Sequence, residues 1–316
     1  MDTKDIIARF IGASSEEVAL TENSSHNMNI LAMMMAKEKT QGKNKIILCE
    51  DEFPSCVLPF YYHGFEVEMI PTENGHFTAE QLFERVDDKT AAVVVSLVQF
   101  LTGMRMDENK LSDLAKDKGV PLILNSTQHL GAFPLDLSKL NVAALSSSCH
   151  KWLGASIGQS ILYINKDFKR DRKYPLAGWC SVDEPFEMRN EPPILRQDVG
   201  ALMLGSLPFA AIAGVAEACL VQEEIGRDLI AERVLELSAY LRNKLKERGY
   251  KPLGPKILSE ESGIVTFPLD QADDFVNRLM ERNIHVNQRR GKIRVSPHFY
   301  NSIEDLDIFL EALDKK

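Results

Sequence analysis

A lysine stands in residues 148–152 (SCHKW), shortly after a run that reads as a buried strand, residues 142–145 (VAAL). A charge at the end of a buried strand must be solvated, paired or used in chemistry. A lysine in a surface loop is the simpler interpretation, and the segment taken alone favours it. The neighbouring segments decide between the two.

Two amide side chains follow the end of a second predicted strand. Residues 121–128 (PLILNSTQ) begin as a buried strand and end in Asn125 and Gln128. In α/β sheets the carboxyl ends of the strands converge on one crevice, where ligands bind. We therefore expect Asn125, Gln128 and Lys151 to lie near one another, which favours a chemical role for the lysine.

Strands and helices alternate through the first half of the chain. Predicted strands cover residues 45–49, 66–70, 91–97, 121–124, 142–145 and 159–164, and predicted helices cover 24–35, 56–62, 78–86 and 108–118. Most of these strands are apolar on both faces, which is typical of parallel strands covered by helices on both sides. The fold class is therefore α/β, with a mostly parallel central sheet.

The second half of the chain has a different pattern. A long helix is predicted over residues 207–245, with a break near Gly226. Short strands at 263–267, 284–286 and 292–296 then mix with helices at 272–282 and 303–313, as in a small α+β domain. We predict a large domain over residues 15–206 and a small domain formed by 1–14 and 207–316.

Composition excludes several classes of protein. The chain is 44% hydrophobic and 26% charged, which is the globular range, and its net charge of −9 without a basic block disfavours nucleic-acid binding. Five cysteines without a C-x-x-C pair indicate neither disulfides nor a metal site. No apolar run is long enough to span a membrane, and the charged N-terminus lacks the long apolar core that is typical of a signal peptide. We expect a cytoplasmic protein.

Five motifs in the expected order resemble the class V aminotransferase family, which consists of fold-type I enzymes that use pyridoxal 5'-phosphate (PLP). The matching segments are the stacking segment at 53–55, the loop at 99–103, the Asp-x-x-Gln strand at 122–137, the Schiff-base signature at 148–152 and the C-terminal signature at 291–301. The last is nearest to the isopenicillin N epimerase-like branch. The resemblance covers nearly the whole chain and implies PLP as cofactor and a homodimer.

The resemblance also implies a role for each site residue. Lys151 would form the Schiff base and move the Cα proton, which requires a desolvated setting that lowers its pKa. Arg294 would bind the substrate carboxylate with both arms of its guanidinium group. The cofactor would contact Ser24, Ser25, Ser148 and His150 through its phosphate, Gln128 through its phenolic oxygen, Phe53 through its ring and Asn125 through its pyridine nitrogen.

Three of these assignments have plain structural alternatives. Ser24 and Ser25 could simply cap a helix. Phe53 could be an ordinary core residue, and Arg294 could form an ion pair at a strand edge.

The match also departs from the family pattern. Asn125 replaces the family's aspartate, Gly200-Ala201 replaces Gly-Thr, and the chain begins later than its family does. A cysteine desulfurase needs a nucleophilic cysteine ahead of the substrate arginine, and residues 286–293 contain none, so we do not expect that activity.

The expected function is that of a PLP-dependent enzyme acting on an amino acid, with transamination first. A neutral amide at Asn125 would hold the pyridine nitrogen less strongly in its protonated form, which leaves epimerisation or β-elimination as alternatives. A non-catalytic protein that binds PLP through the same fold is the third interpretation.

Overall fold

A seven-stranded sheet forms the centre of the protein in the computed structural model, which describes residues 2–190 and 194–314. The strands, in spatial order β1-β7-β6-β5-β4-β2-β3, are β1 (Val18–Thr21), β2 (Lys45–Cys49), β3 (Glu66–Ile70), β4 (Thr90–Ser96), β5 (Leu122–Asn125), β6 (Ala144–Ser148) and β7 (Ser160–Ile164). The pairs from β3 through β6 are parallel, and β7 is antiparallel to both β6 and β1. The predicted mostly parallel sheet is confirmed.

Helices cover the two faces of this sheet. Successive strand residues point to opposite faces, so Ile47 joins one apolar cluster and Ile46 joins another. The helices are α1 (Thr3–Phe10), α2 (Ser24–Met34), α3 (Ala36–Thr40), α4 (Leu58–Tyr62), α5 (Ala79–Phe83), α6 (Glu108–Lys118) and α7 (Lys166–Lys169). The continuous apolar strands therefore have a core on each side, as their composition predicted.

The long helix of the second half is broken at Gly226, as predicted. Gly226 has φ +99° and separates α8 (Phe209–Ile225) from α9 (Arg227–Glu247). A second, antiparallel sheet follows, in the order β8-β10-β9. Its elements are β8 (Val265–Pro268), α10 (Ala272–Glu281), β9 (Asn287–Arg289), β10 (Lys292–Val295) and α11 (Ile303–Asp314).

The prediction of a strand at residues 284–286 was wrong, because the strand lies at 287–289. Arg290 and Gly291 have φ angles of 50° and 73°, so the chain reverses in a two-residue turn. Such a turn pairs the residues directly on either side of it, here Arg289 with Lys292. The turn therefore fixes the strand closer to Gly291 than the apolar pattern suggested.

The cores show how the two halves of the chain meet. Apolar side chains of α1 and α8 share one cluster with the seven-stranded sheet, whereas α9 contributes to the cluster around the small sheet. The division predicted at residues 14 and 206 stays a prediction. Within the described residues, no helix combines the length and apolar character that a membrane span requires.

Candidate active site

Three hydroxyl groups meet where β5 and β6 end and α2 begins. Ser24 Oγ lies 2.8 Å from Ser148 Oγ and 3.1 Å from Thr127 Oγ1. Thr127 Oγ1 also accepts a hydrogen bond from the backbone N–H of Ser148 at 3.0 Å. We call Ser24, Thr127 and Ser148 the hydroxyl cluster. The parallel pairing of β5 with β6 brings Thr127 and Ser148 together at the strand ends. Of the three residues, Ser24 and Ser148 were singled out in the sequence, whereas Thr127 was not.

The start of α2 shows that Ser24 and Ser25 do not cap the helix. Asn23 is the cap, because its side chain accepts a hydrogen bond from His26 N at 2.9 Å. Ser24 and Ser25 are thus the first two residues of the helix, where free N–H groups and the helix dipole favour an anion. The Ser24 hydroxyl faces the strand ends, whereas Ser25 is exposed. The capping alternative is wrong.

Lys151 lies in a partly desolvated, cationic environment. Burial, and then the nearby charges of Arg294 and Arg289, lower the pKa of its amine to about 8. Its Nζ atom lies 5.7 Å from the centre of the Phe53 ring. Over the described residues, no carboxylate forms an ion pair with it. The neutral, nucleophilic form of the amine is therefore a minor but much larger fraction near neutral pH than it is for an ordinary lysine.

Phe53 is not an ordinary core residue. Its side chain is 38% exposed. The Phe53 and Phe100 rings pack edge to face, with their centroids 5.1 Å apart and their planes at 76°. The core-packing alternative does not account for an aromatic face left open beside a lysine.

Only the oxygen of the Gln128 side-chain amide has a hydrogen-bond partner among the described residues. Its Oε1 accepts a hydrogen bond from Trp152 Nε1 at 3.0 Å, which fixes the orientation of the amide. Its Nε2 is buried and has no hydrogen-bond partner in the part of the chain that the structure describes. A buried donor without a partner is costly, so an acceptor from a ligand would suit this position.

Asn125, at the end of β5, donates both N–H groups of its side-chain amide to protein atoms. Its Nδ2 donates to Ser96 Oγ at 3.1 Å and to Cys56 Sγ at 3.2 Å. Its Oδ1 accepts from Thr127 N at 3.1 Å. Ser96 in turn donates to the carboxylate of Glu52, a buried residue that the sequence analysis did not single out.

Arg294, on β10, reaches from the small sheet to the loop after β4. Its Nη1 donates to Phe100 O at 2.7 Å, and its Nε is buried without a partner among the described residues. Burial and the nearby Arg289 lower its pKa to about 10. No carboxylate of residues 2–190 and 194–314 pairs with it, so the alternative of a strand-edge ion pair is wrong.

His150 lies at the rim of this site. Its side chain is exposed and does not join the hydroxyl cluster, although burial and the charge of Lys151 lower its pKa. No group of three or more acidic, histidine or cysteine side chains in the described segments is placed to hold a metal ion.

Comparison with known sequences gives a match over nearly the whole chain. The family model described as aminotransferase class-V matches residues 1–309. A probable cysteine desulfurase of Pyrococcus abyssi is 26% identical over 338 residues, which cover 99% of this chain and 82% of that protein. The uncharacterized aminotransferase YcbU of Bacillus subtilis is 23% identical (98% and 81% covered), and a kynureninase of Christiangramia forsetii is 24% identical (98% and 78%).

Solved structures share the fold. The apo structure of a cysteine desulfurase from Thermococcus onnurineus superposes with a TM-score of 0.91 at 24% identity, covering 99% of this chain and 82% of that one. The cystine C-S lyase C-DES gives 0.87 at 19% identity, covering 98% and 84%. The predicted PLP fold type I is thereby confirmed.

Proposed function

The chain belongs to the class-V aminotransferase family of PLP-dependent enzymes, and on that premise we propose that Lys151 holds PLP and that the enzyme acts on an amino acid. The observation that carries the proposal is the state of Lys151. Its amine has a pKa of about 8 and no described carboxylate partner, and it lies over the half-exposed ring of Phe53.

The neighbouring groups fit this cofactor. The hydroxyl cluster at the start of α2 suits the phosphate, with Ser25 and His150 as further candidates at the rim. The unpaired Nε2 of Gln128 suits the phenolic oxygen. The open face of Phe53 suits the pyridine ring, and Asn125 lies at the strand end where the ring nitrogen is expected.

PLP held at Lys151 would supply an electron sink for the pair released when a bond at the substrate Cα breaks. The neutral amine of Lys151 accepts the Cα proton and returns it. Arg294 holds the substrate carboxylate, and its Nε, which has no partner among the described residues, is available to donate to it. Burial and the nearby charges of Arg294 and Arg289 lower the pKa of the Lys151 amine to about 8, so its neutral form is more accessible than that of an ordinary lysine.

We propose transamination as the reaction, with epimerisation and β-elimination as alternatives that begin with the same proton removal. Asn125 is the observation that favours these alternatives, and a non-catalytic PLP-binding protein, since a neutral amide replaces the family's aspartate. Placement in the isopenicillin N epimerase-like branch stays a prediction that rests on residues 291–301.

Sulfur transfer does not follow from the desulfurase relatives. The five cysteines are all free, and four of them are buried: Cys49, Cys56, Cys149 and Cys219. None lies in residues 286–293, ahead of Arg294. Free, reduced thiols support the proposed cytosolic location.

The proposal is tested by trapping the cofactor. Purified protein is mixed with PLP, reduced with borohydride, digested and analysed by mass spectrometry. We expect the cofactor on Lys151, and none after Lys151→Ala. Lys169→Ala is the matched control, because burial lowers the pKa of that lysine too, and it should label as wild type does. Wild-type protein that takes up no PLP would refute the proposal.

Turnover separates the reactions. The reconstituted protein is incubated with a panel of amino acids and 2-oxo acids, and products are identified by chromatography. A new amino acid formed from an added 2-oxo acid supports transamination, whereas racemised substrate or a released side-chain fragment supports one of the alternatives. PLP binding without turnover on any amino acid would leave the non-catalytic interpretation.

A further inference from the structure

A buried carboxylate lies one hydrogen-bonded residue away from Asn125. Glu52 is 3% exposed, and burial raises the pKa of its carboxyl group. It accepts hydrogen bonds from Phe53 N and Ser96 N, both at 2.8 Å, from the Ser96 hydroxyl and more weakly from Gln99 Nε2 at 3.4 Å. All of these contacts are donors, which suits an ionised carboxylate, and none is a cation.

The Ser96 hydroxyl links Glu52 to Asn125 through two hydrogen bonds. A hydroxyl has a single proton, and Ser96 gives it to Glu52. Its lone pairs then face Asn125 Nδ2, 3.1 Å away, so the hydroxyl can only accept from it. Glu52 therefore determines which way the Ser96 hydroxyl points, and Ser96 acts together with the backbone N–H of Thr127 to fix which end of the Asn125 amide faces it.

The Asn125 amide is left with one free capacity. Both of its N–H groups are used, by Ser96 Oγ and Cys56 Sγ. The backbone N–H of Thr127 can only donate, which identifies its partner at 3.1 Å as the carbonyl oxygen. A carbonyl oxygen has two lone pairs, so Asn125 can accept one more hydrogen bond and cannot donate any.

We propose that Glu52, acting through Ser96, is a positioning residue that holds Asn125 as a pure acceptor, and that this acceptor selects the ring-protonated form of bound PLP. An unprotonated pyridine nitrogen is itself an acceptor and finds no donor there. A protonated one donates to Asn125 and brings a positive charge toward the uncompensated carboxylate of Glu52. The Asn125 amide thus takes over the acceptor role of an aspartate. The negative charge lies on Glu52, which is separated from the ring nitrogen by the side chains of Asn125 and Ser96.

This inference rests on the proposed function, since it concerns PLP bound at Lys151. Its test compares the equilibrium binding of PLP with that of an analogue whose ring nitrogen is replaced by C–H, by titrating the cofactor-free protein. The analogue keeps the phosphate and the aldehyde and cannot bond to Asn125. We expect wild type to bind PLP about tenfold more tightly than the analogue, the value of one net hydrogen bond.

Variants locate the source of this preference. Ser96→Ala removes the acceptor that orients the amide and should bring the two affinities within about twofold. Glu52→Gln should also reduce the preference, because it removes the negative charge that favours a protonated ring nitrogen and places an NH2 group opposite Ser96 N or Phe53 N. Adding Asn125→Asp to Ser96→Ala should restore the preference, since both oxygens of an aspartate accept without needing orientation. A purely structural role for Ser96 predicts no such rescue.

Two matched controls separate these effects from general destabilisation. Ser238→Ala removes a buried hydroxyl on α9 that bonds to Leu235 O, and Glu38→Gln removes a buried carboxylate that pairs with Arg172. Both should keep the tenfold preference. PLP labelled with 15N at the ring gives an independent readout, because its NMR shift should indicate a protonated nitrogen in wild type and a mixture in Ser96→Ala.

The outcomes distinguish the two proposals. A wild type that binds neither compound overturns the proposed function and this inference with it. A wild type that binds both equally, or a Ser96→Ala variant that keeps the full preference, overturns the inference and leaves PLP binding intact.

Discussion

At the scale of single residues, the site is defined by groups that the protein leaves unpaired. Among the described residues, the Lys151 amine has no carboxylate partner, and neither the buried Nε2 of Gln128 nor the buried Nε of Arg294 has a hydrogen-bond partner. Buried polar groups are normally paired, so several exceptions in one place are a strong indication of a ligand site.

The lowered pKa of Lys151 makes PLP uptake dependent on pH. The amine is protonated and unreactive below about pH 8 and neutral above it, so the rate of PLP incorporation should rise with pH and level off above about 8. Arg294→Gln removes a nearby positive charge and should move the midpoint upward. Arg290→Gln, which breaks an ion pair with Asp51, is the control and should leave it unchanged. A wild-type midpoint near the ordinary lysine value, about 10.4, would contradict this account.

At the scale of elements, the loop that carries Lys151 packs directly on the turn after Gln128. Gly131 has φ +97°, and a Cβ atom there would lie 2.3 Å from both Leu153 N and the carbonyl carbon of Trp152. From the other side, Gln222 of α8 donates to Trp152 O at 2.9 Å. The position of the lysine is therefore set by backbone packing.

Gly131→Ala should displace this loop. It adds left-handed strain to a clash with backbone, for an expected loss of about 2–5 kcal/mol in the free energy of unfolding and weaker PLP binding. Gly154→Ala is the control: Gly154 has φ +74° but open space around its Cβ position, so strain alone should cost about 1–2 kcal/mol. Equal losses in the free energy of unfolding for the two variants, measured by chemical denaturation, would contradict this, because they would mean that the loop moves to accept the added Cβ atom.

The sequence predicted those parts of the site that adjacent strand ends bring together. Asn125 and Ser148 could be placed because neighbouring parallel strands expose their ends at one edge. Glu52 could not, because it follows β2 without a distinctive local pattern and its partner Ser96 is 44 positions away. Ser96 ends β4 beside Asn125, so the strand-end argument applies to it, but a single serine in an apolar strand gave no reason to single it out. Asn23 was also missed as the cap of α2, since three polar residues in succession left the start of the helix open.

At the scale of the whole molecule, the segment between α7 and α8 exposes an unusual amount of apolar surface. Phe186 is 83% exposed, Ile194 76% and Met188 65%, beside a cavity of about 1000 Å³. Exposed apolar residues grouped in one segment are typical of interaction surfaces. We therefore propose this segment as the interface of the homodimer that the family resemblance implies.

Phe186→Asp should therefore weaken the dimer. A charge placed in an apolar interface must be desolvated, so we expect the dissociation constant to rise about tenfold or more in analytical ultracentrifugation. Leu258→Asp, at a residue that is 78% exposed outside this segment, is the control and should leave it unchanged. A wild type that sediments as a monomer at every concentration would contradict the homodimer.

Trp152 gives this architecture a built-in optical reporter. Of the two tryptophans, Trp179 is 40% exposed, whereas Trp152 is 4% exposed, bonded to Gln128 and stacked on His298 at 5.1 Å. One indole ring thus touches both the amide proposed to meet the cofactor and the segment that follows β10. We therefore expect its fluorescence emission to change when the cofactor binds, without any added dye.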